Sequence, residues 1–384
     1  MDEGLVIVYF GTGWFGENRT SSHHVADRLS RYAPLLYVDV PGIRAPQATA
    51  RDWRKMGRIL QSAIRPACRL ENGMWHMTVP QIPFRGLPGV PALNLLLGTL
   101  LIKRAVRKIG ARRIVTWFLQ AHVGAMAGRF GEELVVYYCT DDYASLPGVD
   151  ATAIRAMDDN LTRRADLVFV TSARILERKK PLNRSLFLAP HGVDAELFGQ
   201  VADPDFAADE RAASLRHPII GFFGLLAAWI DTELLRYLAE QRPNWTFLLV
   251  GSASVPIDHL LKLPNVVMPG PQPYRTLPRW AKAFDVAIIP YRLNEQVLSA
   301  NPLKLREYLA TGKPVVTVRT PEVDRFAHCV RIADTPAAFL RAIEQSLATD
   351  TPAQHAERRA AVAPMTWDAR VSEVWQTVRA HLAS

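Results

Sequence analysis

Cysteine is scarce in these 384 residues: Cys68, Cys139 and Cys329 are three, an odd number with no C-x-x-C spacing. That excludes a disulfide framework and a zinc knuckle and points to a reducing compartment. No apolar run reaches the ~20 residues a helix needs to span a bilayer. The chain opens on Met1-Asp2-Glu3-Gly4 and then the short apolar run 5–10. It lacks the basic start and longer apolar core of a secretion signal, so this run reads as a first strand. Low-complexity tracts are missing, as is any repeat with a period of ~20–50 residues, which removes disordered tails and solenoids. No His/Cys/Asp/Glu cluster has metal-ligand spacing. Acidic residues are short in one place: residues 51–113 hold 13 Lys and Arg against 2 Asp and Glu.

What is present fits two domains of roughly 150–200 residues each. Formal net charge is +9, and the excess lies in the first half: residues 1–190 carry 26 basic and 16 acidic groups, residues 191–384 carry 20 and 21. Such asymmetry implies an anionic partner, a membrane surface or nucleic acid. The nucleic-acid reading lacks a recognisable binding fold and interleaved aromatics. Residues 92–102 are apolar save for Asn94, Gly98 and Thr99, and Lys103, Arg104, Arg107 and Lys108 follow at once. A helix of that kind can lie in an anionic interface.

Short apolar runs alternate with amphipathic stretches. Strands are expected at 5–10, 35–40, 114–118, 134–138 and 167–171, with helices at 21–32, 93–109, 121–130 and 151–165. The second half repeats the pattern, with strands at 219–223, 246–250, 266–268, 286–289 and 315–318. Its helices are expected at 232–241, 277–283, 303–310, 336–347 and 367–381. Runs apolar on both faces suit buried parallel strands, and the repeated alternation predicts two doubly wound α/β domains. We place them at 1–192 and 217–365, with a linker at 193–216 and a C-terminal helix at 366–384 that can pack back on the first domain. Open α/β sheets bind ligands beyond the carboxyl ends of their strands, so two such domains are expected to face one another across a cleft.

The first turn, Gly11-Thr12-Gly13-Trp14-Phe15-Gly16, has G-x-G-x-x-G spacing. A dinucleotide there would need an acid on the second strand, and Asp39 is the one candidate; otherwise Gly13 belongs to a substrate-contact loop. The most informative block runs Asn301-Pro302-Leu303-Lys304-Leu305-Arg306-Glu307 on to Gly312. Asn301 can cap a helix and Pro302 suits its first position. Lys304 and Glu307 then share a face, near free N–H groups that favour phosphate. The plain alternative is a surface ion pair. After predicted strands, His122 and Asp142 are placed to act as base or to stabilise a cationic sugar. Helix starting and turn capping are their bland readings. Asp158-Asp159 read as solvated surface, and His23-His24 as exposed for the most part.

The block 301–314 resembles the donor-binding signature of GT-B glycosyltransferases, in particular the family 4-like, group 1 enzymes. Pro190-His191-Gly192-Val193-Asp194 through Phe198 resembles their domain-junction element, and Gly221-Phe222-Phe223-Gly224 the opening of their second domain. The likeness is close over residues ~185–320 and loose before them. It implies a GT-B fold of two Rossmann-like domains and transfer of a hexose from a nucleotide-diphosphate sugar, UDP favoured, to an acceptor hydroxyl. The acceptor would be a glycan or lipid-linked saccharide precursor. No cofactor is expected to be tightly bound and no metal used, and the site would be cytoplasmic, on the inner membrane face. By the resemblance, Gly13, Gly224, Pro273, Tyr274, Asn301, Pro302, Leu303, Lys304 and Glu307 contact the donor, and Lys304 also joins His122 and Asp142 in catalysis. Two departures bear on stereochemistry. Family members often carry E-x7-E, but Ser299 stands eight before Glu307, and Leu225–Trp229 lacks the usual basic residues. Retention is expected; an inverting, exopolysaccharide glucuronosyltransferase-like enzyme is the alternative. From another class, a dinucleotide-dependent oxidoreductase stays open.

Overall fold

The computed structural model describes residues 4–11, 13–16, 19–40, 67–79 and 88–383. Much of the basic segment expected to meet an anionic surface, at 51–66 and 80–87, lies outside them. The chain forms two compact units, Met1–Pro190 with Val371–Ser384, and His191–Arg370.

The described residues of the first unit form eight strands: β1 (Leu5–Gly11), β2 (Leu35–Asp39), β3 (Cys68–Arg69), β4 (Trp75–Thr78), β5 (Arg113–Phe118), β6 (Leu134–Cys139), β7 (Leu167–Val170) and β8 (Leu186–Leu188). They lie in the order β3-β4-β2-β1-β5-β6-β7-β8. Among the described residues only the short β3 runs antiparallel, against β4. The strands are apolar on both faces because both are covered. One face packs Val8, Phe10, Leu36, Val38 and Phe118 into an aliphatic and aromatic core. On the other, Tyr9, Tyr37 and Trp117 stack at 5.3 and 6.3 Å between ring centres, which adds about 0.5–1.5 kcal/mol per pair to their burial.

The second unit has β9 (Ile219–Phe223), β10 (Thr246–Val250), β11 (Val266–Gly270), β12 (Val286–Ile289), β13 (Val315–Thr317) and β14 (Arg331–Ile332). Their order, β11-β10-β9-β12-β13-β14, is the doubly wound arrangement with its reversal between β9 and β12. Alternate residues feed two cores. Phe223, Leu248 and Ile289 enter one; Phe222, Leu249 and Ile288 enter the other. Every neighbouring pair is parallel.

Several sequence expectations change. Residues 121–130 form not an α-helix but a short 3-10 helix, Ala121–Met126. Gly124 lies so close to helix Ala151–Arg164 that an added Cβ would meet Leu161 at 3.1 Å, and Gly128, at φ +78°, stops the segment. Residues 193–216 carry the helices Ala195–Gly199 and Glu210–Ala213 and belong to the second unit. The helix Trp367–Leu382 starts in that unit, and from Val371 it is part of the first. There Trp375 stacks on Tyr32 at 5.4 Å. Asp158 is not solvated surface but 5% exposed, accepting from Lys179 at 2.6 Å and Tyr137 at 2.5 Å. His23 and His24 are buried rather than exposed. His23 Nδ1 meets the Thr20 N–H and its Nε2 the Gly13 carbonyl, each at 3.0 Å.

Candidate active site

The reversal point of the second sheet lies beyond Phe223 at the end of β9. Gly224 turns the chain there at φ +127°. A Cβ on Gly224 would sit 2.2 Å from Lys304 Cε and 2.6 Å from its Nζ. Glycine is thus what lets the lysine lie across the turn. The next turn also needs glycine: Gly251, at φ +149°, approaches so closely that a Cβ would be 2.0 Å from the Gly224 carbonyl oxygen. The two turns form one tight ledge under the lysine ammonium, which also stands 5.5 Å from the centre of the Phe222 ring.

Lys304 comes from helix Leu303–Thr311, whose N-cap is Pro302. Asn301 was expected to cap this helix and does not. Its Nδ2 donates to Glu322 at 2.8 Å, and its Oδ1 accepts the His191 N–H at 3.2 Å. Proline brings no N–H and no side-chain cap, so the first-turn N–H groups of the helix are left to external acceptors. Gly312, at φ +81°, ends the helix.

Glu307 lies one turn further in and is only 8% exposed. Burial raises its carboxyl pKa to about 7, against the opposing pull of Lys304 and a hydrogen bond from Tyr274. Burial likewise lowers the Lys304 ammonium, and Glu307 counters it. Among the described residues the two form no direct ion pair, so the surface-bridge alternative does not describe this geometry. A buried carboxylate whose pKa stays raised despite these partners has acceptor capacity left for further donors. Tyr274 follows Pro273 and packs edge-on to Phe198 at 5.7 Å. Lys304, Glu307, Gly224, Tyr274 and, in sequence beside them, Pro273, Pro302 and Leu303 therefore belong to one corner of the second unit.

Support for this corner was not legible beforehand. Arg306 is almost fully buried and pairs with Glu322 at 3.3 Å. Burial brings its pKa down to about 10 despite that partner. His191 Nδ1 donates to the Asn301 carbonyl at 2.8 Å, which leaves Nε2 buried with no partner among the described residues. Burial drops the His191 pKa to about 4. His191 stood inside a motif already singled out; Glu322, sixteen residues from Arg306, gave no signal.

Gly13, His122 and Asp142 belong to the first unit. Gly13 and His122 follow β1 and β5, the strands that flank that sheet's reversal. Gly13 is exposed at φ +63°, and its carbonyl accepts the Gly16 N–H at 2.7 Å. Asp39 is occupied: it accepts from the Trp14 N–H at 3.1 Å and meets His76 Nε2 at 2.8 Å. A ribose has no claim on it, which weighs against a dinucleotide. His122 is half-buried on the 3-10 helix. Asp142 is buried and paired with Arg178 at 2.7 Å, with Ser145 Oγ donating at 2.8 Å. Burial opposes its charge, yet Arg178 and Ser145 hold the carboxyl below its ordinary range.

Residues 217–349 match the family described as Glycosyl transferases group 1. "Putative teichuronic acid biosynthesis glycosyltransferase TuaH" of Bacillus subtilis (strain 168) is 27% identical over 272 residues, 65% of this chain and 68% of its own length. The chain has the GT-B fold, and its second unit is similar to group 1 glycosyltransferases. The fold of this enzyme extends over its whole length in solved structures. Sucrose-phosphate synthase from Thermosynechococcus elongatus superposes with a TM-score of 0.69 at 15% identity, covering 98% of this chain and 99% of that one. The Anabaena protein HepE, solved with UDP and glucose, gives 0.65 at 16%, covering 97% and 99%. Among the described residues the chain has no group of three or more His, Cys, Asp and Glu side chains that could hold a metal ion.

Proposed function

We propose that the enzyme transfers a hexosyl group from a UDP-sugar to a hydroxyl of a glycan or lipid-linked saccharide, with retention of anomeric configuration. The observation that carries this is Lys304 lying across the Gly224 turn at the head of a helix, with Glu307 buried one turn on. In the reaction the bond from the anomeric carbon to the diphosphate oxygen breaks and a bond to the acceptor oxygen forms. The acceptor proton leaves to a base or to the departing diphosphate. Lys304 and the free N–H groups before it stabilise charge that grows on that diphosphate, so no step requires a metal ion. Glu307, with its surplus of acceptor capacity, takes the ribose hydroxyls. HepE, which shares the fold, was solved with UDP and glucose, and this favours UDP. In the first unit His122 serves the reacting sugar or the acceptor hydroxyl. Asp142, paired with Arg178, acts with it on the same ligand rather than as a free base. The enzyme works on the cytoplasmic side, where nucleotide sugars are found.

Donor binding and turnover of two single variants test this reading. Glu307→Gln is expected to weaken UDP-sugar binding about tenfold or more, because each charged hydrogen bond contributes ~1.5–3 kcal/mol. Lys304→Ala is expected to lower kcat more than it changes Kd. Wild-type values in both would refute the assignment. Titrating UDP-, GDP-, ADP- and dTDP-sugars against the full chain decides the base.

A further inference from the structure

Helix Val90–Ile109 is apolar on its outer face as well as on the face that packs against the core. Its buried residues include Asn94, Gly98 and Thr99 along with Ile102, Ala105 and Val106. Thr99 satisfies its hydroxyl locally, donating to the Leu95 carbonyl at 2.7 Å. Gly98 brings the helix so near the body that a Cβ would be 2.6 Å from Met126 Cε and 3.0 Å from Val79 Cγ1. Four of its six leucines face outward: Leu93, Leu96, Leu97 and Leu100 are 43, 56, 39 and 55% exposed. Their spacing of three and four puts them on one stripe. They account for four of the ten exposed large apolar side chains among the described residues. A turn later come Lys103, Arg104, Arg107 and Lys108, and the twenty residues of the helix include no Asp or Glu. None of these four cations has an ion-pair partner among the described residues.

We propose that this stripe is a lipid-contact surface for an anionic bilayer leaflet. The leucines enter the interface and the four cations meet the headgroups. An apolar stripe alone would fit a second copy of the chain equally well. The cations decide between the two: a second copy of this helix offers them no Asp or Glu, whereas anionic headgroups neutralise them. The helix is too short in apolar residues to cross, since no helix among the described residues is long and apolar enough to span a membrane. It lies flat, with the long stems of lysine and arginine reaching to the headgroups. A crossover helix runs opposite to the parallel strands it joins, so its leucine end is at the carboxyl ends of the first sheet. Met126, against which Gly98 packs, belongs to the same 3-10 helix as His122. The surface would thus hold the His122 edge of the unit at the membrane. This last point rests on the glycosyl-transfer reading; lipid binding itself does not.

The test is co-sedimentation of the full chain with vesicles of phosphatidylcholine alone and of phosphatidylcholine mixed with phosphatidylglycerol. Wild type is expected to bind the mixed vesicles and leave the neutral ones. Changing Lys103, Arg104, Arg107 and Lys108 together to Gln should weaken binding on the order of a hundredfold or more, at about one charge's attraction each. Changing Leu96 and Leu100 to Ser should weaken it roughly tenfold, while UDP binding, read on the same samples, stays at the wild-type level. Equal binding to neutral and anionic vesicles, or binding untouched by either set, would overturn the proposal. So would a wild-type dimer that Leu96→Ser with Leu100→Ser converts to monomer without changing vesicle binding. Loss of UDP binding in Glu307→Gln with vesicle binding retained bears on the catalytic reading alone.

Discussion

Replacing Glu307 by Gln should make the protein more stable as pH rises, even as it impairs donor binding. The carboxyl goes from 4.5 to about 7 on folding, chiefly through burial. The folded state therefore holds its proton longer than the unfolded state. The stabilisation this brings is complete below pH 4.5 and is lost as pH climbs through about 7. At 1.36 kcal/mol per pH unit the loss is about 3 kcal/mol. Glutamine keeps the shape and the Tyr274 contact and has no proton to lose. The attraction of Lys304 already enters that shift, so about 3 kcal/mol should separate variant from wild type at pH 8. For a unit of this size that is several degrees in Tm, at roughly 2–4 °C per kcal/mol. The assay is calorimetric unfolding of wild type and variant without donor, from pH 5 to 8.5. His191 complicates the wild-type curve alone. Its folded pKa is lowered to about 4, so it costs stability as pH falls below 6.5, the opposite slope. The difference between variant and wild type cancels that contribution. If the difference does not grow between pH 5 and 7.5, or has the other sign, the Glu307 carboxylate is not strained by burial and the ribose role loses its motive.

Gly224→Ala should lose turnover much as Lys304→Ala does, because the flexible lysine yields to the new methyl. Thermal unfolding followed by circular dichroism should show a cost of ~1–3 kcal/mol for alanine held at φ +127°. Breaking the buried Arg306–Glu322 pair by Glu322→Gln should destabilise by about 3–5 kcal/mol in denaturant titration, since a buried guanidinium is left uncompensated. Asp142→Asn should likewise destabilise, and the gap to wild type should close as pH falls. The wild-type contribution is present above the ordinary Asp range and disappears as the carboxyl protonates below it. His122→Ala should fold normally and lower kcat by ~10²–10⁴ if it serves as base, and an unchanged kcat would move that role elsewhere.

The sequence alone determined both sheets at their centres. β1, β5, β6, β9, β10 and β12 are buried on two faces, and such strands must be continuous apolar runs whatever surrounds them. It also determined helix Leu303–Thr311 from the Gly312 stop, and the shared face of Lys304 and Glu307 from their spacing, because these depend on dihedrals and helical period only. What lay at the margins escaped it. β4, β8 and β14 are two to four residues long and are strands only because a neighbour offers hydrogen bonds. Tertiary structure alone decided that Asn301 ties His191 to Glu322 instead of capping a helix, and that Asp158 meets Lys179. It decided, too, that Glu307 is buried deeply enough to hold its proton near neutrality, and that helix Val90–Ile109 turns four of its six leucines outward. Each depends on what the fold brings within a few ångströms from far along the chain, and burial and pairing at that range leave no periodicity to read.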